Sequence, residues 1–576
     1  MNRLSGLILM LLCGLGVGMN YAQKPFDFDV TTRISAQVGT KSLQPLWSYS
    51  NQWGLENMYD KTNVSVYAKA EARWGTEKKV WLQRSALHDS YGTDTIVSLF
   101  SIRAGLGGQV STEKDRTFIH EGYLTGNLWV FDYTIGLHAF TPVFSNNELS
   151  SGSYLMSNNA RPLPRVGVGL FKYWSLPYTW DLIQVRGSVF FSYMNNEGDK
   201  RFTDDILLHE KCAYGRLGTP FVKPYIGLVH SVMMGGKMPG GKKIPLDFWN
   251  SMFGLSGSKT KFEEAGLRGE VTNAAGGHQG MWDIGLDLDF PRFSMSAYYQ
   301  RPFADSKAMH LFFDKIDGFG AKDMTIGTDI RLKNGKNTHI NVEFVRTVWQ
   351  GSEATPDPVV VDKYGKTHYI YPGDLDEGNW REWMEEYIPQ EVIDDYESYI
   401  NRPMVGFGDL MLLFMHHYNK GIYGYGGRTQ YASNGFYKQG WSKDGLCMGS
   451  ALFHTMRTAT KYAEESRLGP IGILPLVRLW AINLGVSGDI TDKLKYVIRY
   501  TYSKNFGNWC GTYKGSFSWD KTPNYFYDPD GMVEHYTMLK ATYALKENLT
   551  IQGSVSADLG DMYKSASLKL TAIYNL

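Results

Sequence analysis

After residue 22 the sequence has no run of about eighteen apolar residues, so it offers no membrane-spanning helix. The longest candidate, Pro470–Val486, is broken by Arg478 and by a second proline, Pro475. An inner-membrane helical bundle is thereby excluded. Cysteine is scarce. Cys13 lies in the leader, and Cys212, Cys447 and Cys510 are odd in number and widely spaced. That pattern is neither a disulfide framework nor a zinc site. Charge of either sign is not in excess: the net charge is +1, which gives no electrostatic case for nucleic acid. Catalytic signatures are missing too. His416-His417 lacks the His-Glu-x-x-His spacing, and there is no nucleophile elbow. Gly236–Lys242 imitates a phosphate loop, but Lys243 stands where Ser or Thr should meet magnesium, and no strand–helix context follows. No enzyme activity, cofactor or metal is expected.

What is present begins with a leader. Met1–Ala22 carries Arg3, an apolar stretch from Leu4 to Val17 and a cleavage site near Tyr-Ala-Gln at 21–23, the plan of a secretory signal peptide. Leu12 before Cys13 argues against a lipoprotein. Segments of strict alternation follow. Val64–Trp74 sets Val64, Val66, Ala68 and Ala70 against Lys69, Glu71 and Arg73. Trp282–Phe290 sets Trp282, Ile284, Leu286 and Leu288 against Asp283, Asp287 and Asp289. Tyr496–Ser503, Leu549–Asp558 and the terminal Leu568–Leu576 repeat the pattern. Alternation alone fits a soluble sandwich or a barrel whose apolar face meets lipid. The leader, the length and the terminal strand favour the barrel, because a free edge strand is safe when it pairs with the first strand.

The expected fold is all-β: a closed antiparallel transmembrane barrel of about eighteen strands in the outer membrane of a Gram-negative, Sec-exporting cell. Residues 62–576 are assigned to it, and 23–61 to an N-terminal periplasmic or plug segment. Tight links at Asp289-Phe-Pro-Arg, Ile490-Thr-Asp-Lys and Leu545-Lys-Glu-Asn are placed on the periplasmic side. Long links near 142–164, 235–266, 349–403, 418–470 and 504–533 are placed outside. One of them is helical near 374–400, where Trp380, Trp383, Met384 and Tyr387 follow helix-face spacing. The aspartates of 283–289 are expected to form a salt-bridge lattice, with Arg73, Arg331 and Arg499 as partners.

Ordered blocks resemble the capsule assembly Wzi family of outer-membrane proteins, in particular its Bacteroidetes-type members. They are Leu149-Ser-Ser-Gly-Ser with Ser157-Asn-Asn-Ala-Arg-Pro-Leu-Pro to Pro164; Leu208-His-Glu-Lys with Tyr214, Gly227-Leu-Val-His and Gly235-Gly236; Tyr299-Gln-Arg-Pro-Phe-Ala-Asp with Met309 and Asp317-Gly-Phe-Gly; and Tyr437-Lys-Gln-Gly-Trp with Gly445, Gly449 and Leu452. The resemblance implies a sealed barrel with a lectin-like, non-catalytic role in the surface attachment and assembly of capsular polysaccharide. It implies a monomer whose partners are capsular or other surface polysaccharide, outer-membrane lipid and lipopolysaccharide, and the barrel assembly machinery. A porin or transporter with a charged lumen is the alternative.

Glycan contact needs aromatic faces and planar polar groups. The long links supply Trp380, Trp383, Tyr387, Tyr425, Arg428, Tyr437 and Trp441, with Asp374, Glu377, Tyr431, Asn434 and Gln439 nearby. The competing reading, favoured by spacing alone, packs the helical Trp and Tyr stripe against other loops.

Overall fold

The computed structural model describes residues 27–80, 95–113, 115–141, 148–254, 257–267, 274–303, 323–348, 359–365, 367–369, 378–406, 409, 410, 413, 432, 434–464, 474–507 and 527–576. The signal peptide, Cys510, His416-His417 and the Met309 to Asp317 block lie outside these residues.

Eighteen strands form the wall. They are β1 Asp27–Gly39, β2 Thr62–Val80, β3 Thr95–Ser111, β4 Phe118–Leu128, β5 Phe131–Leu137 and β6 Pro164–Ser175. Next come β7 Ile183–Met194, β8 Ile206–Leu217, β9 Val222–Met234, β10 Gly277–Asp289, β11 Phe293–Phe303 and β12 Met324–Leu332. The last are β13 His339–Arg346, β14 Arg478–Asp489, β15 Leu494–Gly507, β16 Tyr527–Lys546, β17 Leu549–Gly560 and β18 Lys564–Asn575. Each strand pairs antiparallel with its neighbours in sequence, and β1 pairs with β18 through Val38↔Leu568, Ala36↔Leu570 and Thr32↔Tyr574. The sheet therefore has no edge, which removes the aggregation hazard of a terminal strand.

Residues 23–61 were expected to precede the wall. Asp27–Gly39 is instead its first strand, bonded on one side to β2 and on the other to β18. The two links expected at 349–403 and 418–470 are also corrected. Among the described residues no wall strand separates them, and β13 is followed in the barrel by β14.

The alternation resolves as in a lipid-facing barrel. Val38, Val64, Leu106, Val166, Ile226, Val342, Ile482, Ile498, Val555 and Leu570 are exposed on successive parts of the outer face. So continuous an apolar surface exceeds what a water-soluble monomer displays, and it suits a hydrocarbon surrounding. Opposite them, Gln37, Asp283, Asp287, Asn483, Arg499 and Asp558 point inward and are buried. At the end bearing the short turns, Trp129, Tyr178, Trp180 and Phe221 are exposed in an aromatic girdle, the arrangement of interfacial anchors. Short turns face the periplasm in this architecture, so the long links lie at the outer mouth.

Among the described residues six short helices punctuate the links: α1 Leu46–Tyr49, α2 Phe248–Phe253, α3 Lys259–Glu264, α4 Trp380–Tyr387, α5 Gln390–Ile400 and α6 Met456–Ala459. The largest apolar core is not in the wall but in what the wall encloses. It joins Leu46, Trp47, Leu149, Leu155, Tyr437, Trp441, Phe453 and inward wall residues such as Met281 and Tyr536.

Candidate functional site

Among the described residues three chain segments turn back into the lumen and dock on one another. Residues 40–61 meet the first and last strands. Glu56 takes an ion pair from Arg33 of β1 and another from Lys569 of β18 at 3.0 Å. Trp47 donates its indole N–H to Thr501 Oγ1 at 3.2 Å, while the Arg499 guanidinium sits 3.3 Å from its ring centroid. The Leu46 N–H donates to Asp558 Oδ2 at 2.6 Å. Asp558 also accepts from the Tyr563 hydroxyl at 2.8 Å.

Residues 148–163 cross to other strands. The Ser151 N–H donates to Glu343 Oε2 at 2.6 Å, and Asn483 Nδ2 donates to the Leu149 carbonyl at 2.9 Å. Arg499 Nη2 reaches the Ser150 carbonyl at 2.7 Å. On β14, Gly485 makes room for this segment, since a Cβ there would lie 2.7 Å from Leu149 Cβ.

The third segment, 434–459, docks on the wall and on residues 148–163. The Tyr437 hydroxyl donates to the Gly235 carbonyl at 3.2 Å, Gln439 Nε2 donates to the Thr203 carbonyl at 3.0 Å, and Trp441 Nε1 donates to the Leu155 carbonyl at 2.5 Å. The segments also grip each other. The Asn51 side chain donates to the Ser150 carbonyl at 2.8 Å, Ser157 Oγ to the Gly449 carbonyl at 2.6 Å, and Asn159 Nδ2 to the Cys447 carbonyl at 2.9 Å. Burial pushes the Cys447 thiol up to about 12, which disfavours its thiolate. Two of the sequence blocks, 149–164 and 437–452, are thus the two halves of one internal joint.

Below the plug, toward the short turns, the lumen carries paired charges. Arg216 Nη1 lies 3.0 Å from Asp287, Lys333 lies 2.5 Å from Asp289, and Asp283 accepts from the Tyr214 hydroxyl at 2.9 Å. Lys69 lies 3.1 Å from Glu121 and Arg103 lies 3.2 Å from Glu71. The lattice expected for the aspartates is present, with its partners corrected. Arg216 and Lys333 take the places proposed for Arg73 and Arg331, while Arg499 serves Trp47 and Ser150.

The aromatic side chains proposed for glycan contact sit elsewhere than expected. Tyr437 and Trp441 are fully buried in the plug. Trp380 and Trp383 are buried with Met384, Ile388, Val392, Ile393 and Tyr396 in a core of their own, with Tyr387 packed against it. Their helix-face spacing serves packing between α4 and α5, so the four tryptophan and tyrosine side chains that are buried offer no open stacking face, and Tyr387 is half-buried. The outward face of that helical pair is acidic instead, with Glu382, Glu385, Glu391 and Asp394 exposed. Asn434 is half-buried at the plug rim and Gln439 is buried. Tyr425, Arg428, Tyr431, Asp374 and Glu377 lie outside the described residues. The plug contacts of Trp47, Glu56 and Ser151 were missed. A long polar link carries no periodic mark that it turns inward.

No protein-family model matches the chain, and no curated protein sequence matches it. Among solved structures, the chain is similar to Wzi, described as an outer membrane protein involved in group 1 capsule assembly in Escherichia coli and as a carbohydrate-binding β-barrel. The TM-score is 0.46 at 10% identity, over 95% of this chain and 84% of that one. It is also similar to OccD3 (OpdP) of Pseudomonas aeruginosa, with a TM-score of 0.40 at 8% identity over 97% of this chain and 93% of that one. OprD of the same organism gives 0.39 at 7% identity over 97% and 98%. By its closed wall, apolar belt and aromatic girdle, the protein is an outer-membrane β-barrel.

Proposed function

We propose that this barrel is a non-catalytic binding protein that holds capsular or other surface polysaccharide at its outer mouth. The observation that carries the reading is the joint between residues 149–164 and 437–452, with 40–61 beside it, across the lumen. Residues 149–164 and 437–452 are two of the blocks in which the sequence resembles the capsule assembly family. They are used here to fill the barrel, which favours a surface binder over a conduit. The acidic face of α4 and α5 disfavours direct contact with an acidic polymer there. The polymer is therefore neutral, or meets other loops.

The purified protein is expected to pull down polysaccharide shed from its own host. A deletion strain is expected to shed surface polysaccharide that the parent retains, as read by capsule staining. Unchanged retention in the deletion strain, together with no pull-down, would reject the reading. A porin with a charged lumen is the second reading, favoured by the ion-pair ladder below the plug, where Arg103 keeps 41% of its side-chain surface exposed. Electrical recordings separate the two.

A further inference from the structure

The link between β9 and β10 behaves unlike the plug segments, because its helix α2 lies on the outer side of the wall. Register fixes this. Phe191 is opposite His209, Val189 opposite Lys211, and Lys211 opposite His230. These residues share the outward face of Val189 and Tyr193, both exposed to the lipid side. Phe248 stacks on Phe191 at 5.8 Å, Lys211 donates to the Met252 carbonyl, and its ammonium lies 5.2 Å from the Phe253 ring centroid. Beside them His230 and His278 bond to each other at 3.0 Å. The lipid-facing wall thus carries polar groups here that hydrocarbon would leave unsatisfied, and α2 covers part of them.

What α2 presents in turn is apolar. Leu246, Trp249 and Phe253 are 49%, 65% and 60% exposed. The segment is basic around them. From Lys237 to Glu264 it holds five lysines against three acids. Asp247 is buried, accepting from the Ser258 N–H at 2.7 Å and from Asn250 at 2.9 Å, and it pairs with Lys261 at 3.4 Å, as Lys237 pairs with Asp205 at 2.5 Å. Lys242 and Lys243 are exposed. Exposed Trp and Phe with adjacent lysines, laid flat against a lipid-facing wall, is the chemistry of an interfacial anchor on an anionic lipid surface.

We propose that residues 237–254 form a lateral anchor for a phosphate-bearing glycolipid of the outer leaflet. Trp249 and Phe253 enter the acyl boundary, and Lys242 and Lys243 engage the lipid phosphates. The reading needs only the barrel, not the polysaccharide proposal.

The test uses the full chain folded in detergent and titrated with bis-phosphorylated lipid A, dephosphorylated lipid A or phosphatidylcholine, with bound lipid counted by native mass spectrometry. Each lysine near an anionic surface contributes a factor of about five, so Lys242→Gln with Lys243→Gln should weaken lipid A binding about thirty-fold. Dephosphorylated lipid A should bind the native protein as weakly as lipid A binds that double variant. Trp249→Ser should weaken all lipid A forms alike. The heat-dependent gel mobility of each variant reports that the barrel is folded. Native affinity in a folded double-lysine variant, or equal binding of dephosphorylated lipid A by the native protein, would overturn the proposal.

Discussion

In planar bilayers the purified protein will be electrically silent, and Gly449→Val will conduct. A Cβ at position 449 would lie 1.9 Å from the Tyr154 carbonyl oxygen and 2.8 Å from its carbonyl carbon. Both are backbone atoms, so no rotamer relieves the clash, and residues 148–163 must separate from 434–459. The separation strains the bonds that Ser157 and Asn159 make to the Met448, Gly449 and Cys447 carbonyls. Overpacking of this kind costs roughly 1–3 kcal/mol before the lost hydrogen bonds are added. The wall is held by its own ladders and survives, so the plug is what yields. Gly435→Ala is the control: a Cβ there meets nothing within 4 Å, and the variant should stay silent. Steady channel steps from the native protein would favour the porin reading. Silence in Gly449→Val, with proteolysis reporting that the plug has been displaced, would show that these segments do not block the lumen.

Much of the wall was legible because lipid and lumen impose opposite demands on alternate residues. Asp283, Asp287 and Asp289 against Ile284, Leu286 and Leu288 can be read in one line of sequence. The first strand was not read because its outward face mixes Thr32 and Ala36 with Ile34 and Val38, which blurs the contrast. Salt-bridge partners were misassigned for a different reason. Parity gives the face of a strand but not which side chain lies at the same height, and Asp287 meets Arg216 two strands away across β9. The plug was the least legible part. Trp441 in a glycine-rich link looks like an exposed contact residue, and only its bond to Leu155, distant in sequence, makes it a core residue. The same long-range docking explains why the ordered blocks stood out as motifs without revealing that they touch.

Glu56→Gln should loosen the plug at neutral pH and abolish an acid transition expected of the native protein. Burial by itself would raise the Glu56 carboxyl. Arg33 and Lys569 outweigh it and hold the carboxyl at about 2, well below its ordinary 4.5. A carboxyl depressed by docking contributes stability that is complete above the free value and is lost as pH falls through the docked one. The native plug is thus held at pH 7 and released progressively between about pH 4.5 and pH 2, a difference of roughly 3 kcal/mol. In the variant, Arg33 and Lys569 face each other's charge across the β1–β18 seam with no anion between them. Removing one partner of a buried pair costs about 3–5 kcal/mol. Near-ultraviolet circular dichroism of the buried aromatic side chains, Trp47 among them, should fade in the native protein over that acid window. In Glu56→Gln it should be weak already at pH 7 and flat below it, while far-ultraviolet signal from the wall persists. An acid transition of equal size in both proteins would remove Glu56 as the clasp, because the carboxylate that titrates would then lie elsewhere.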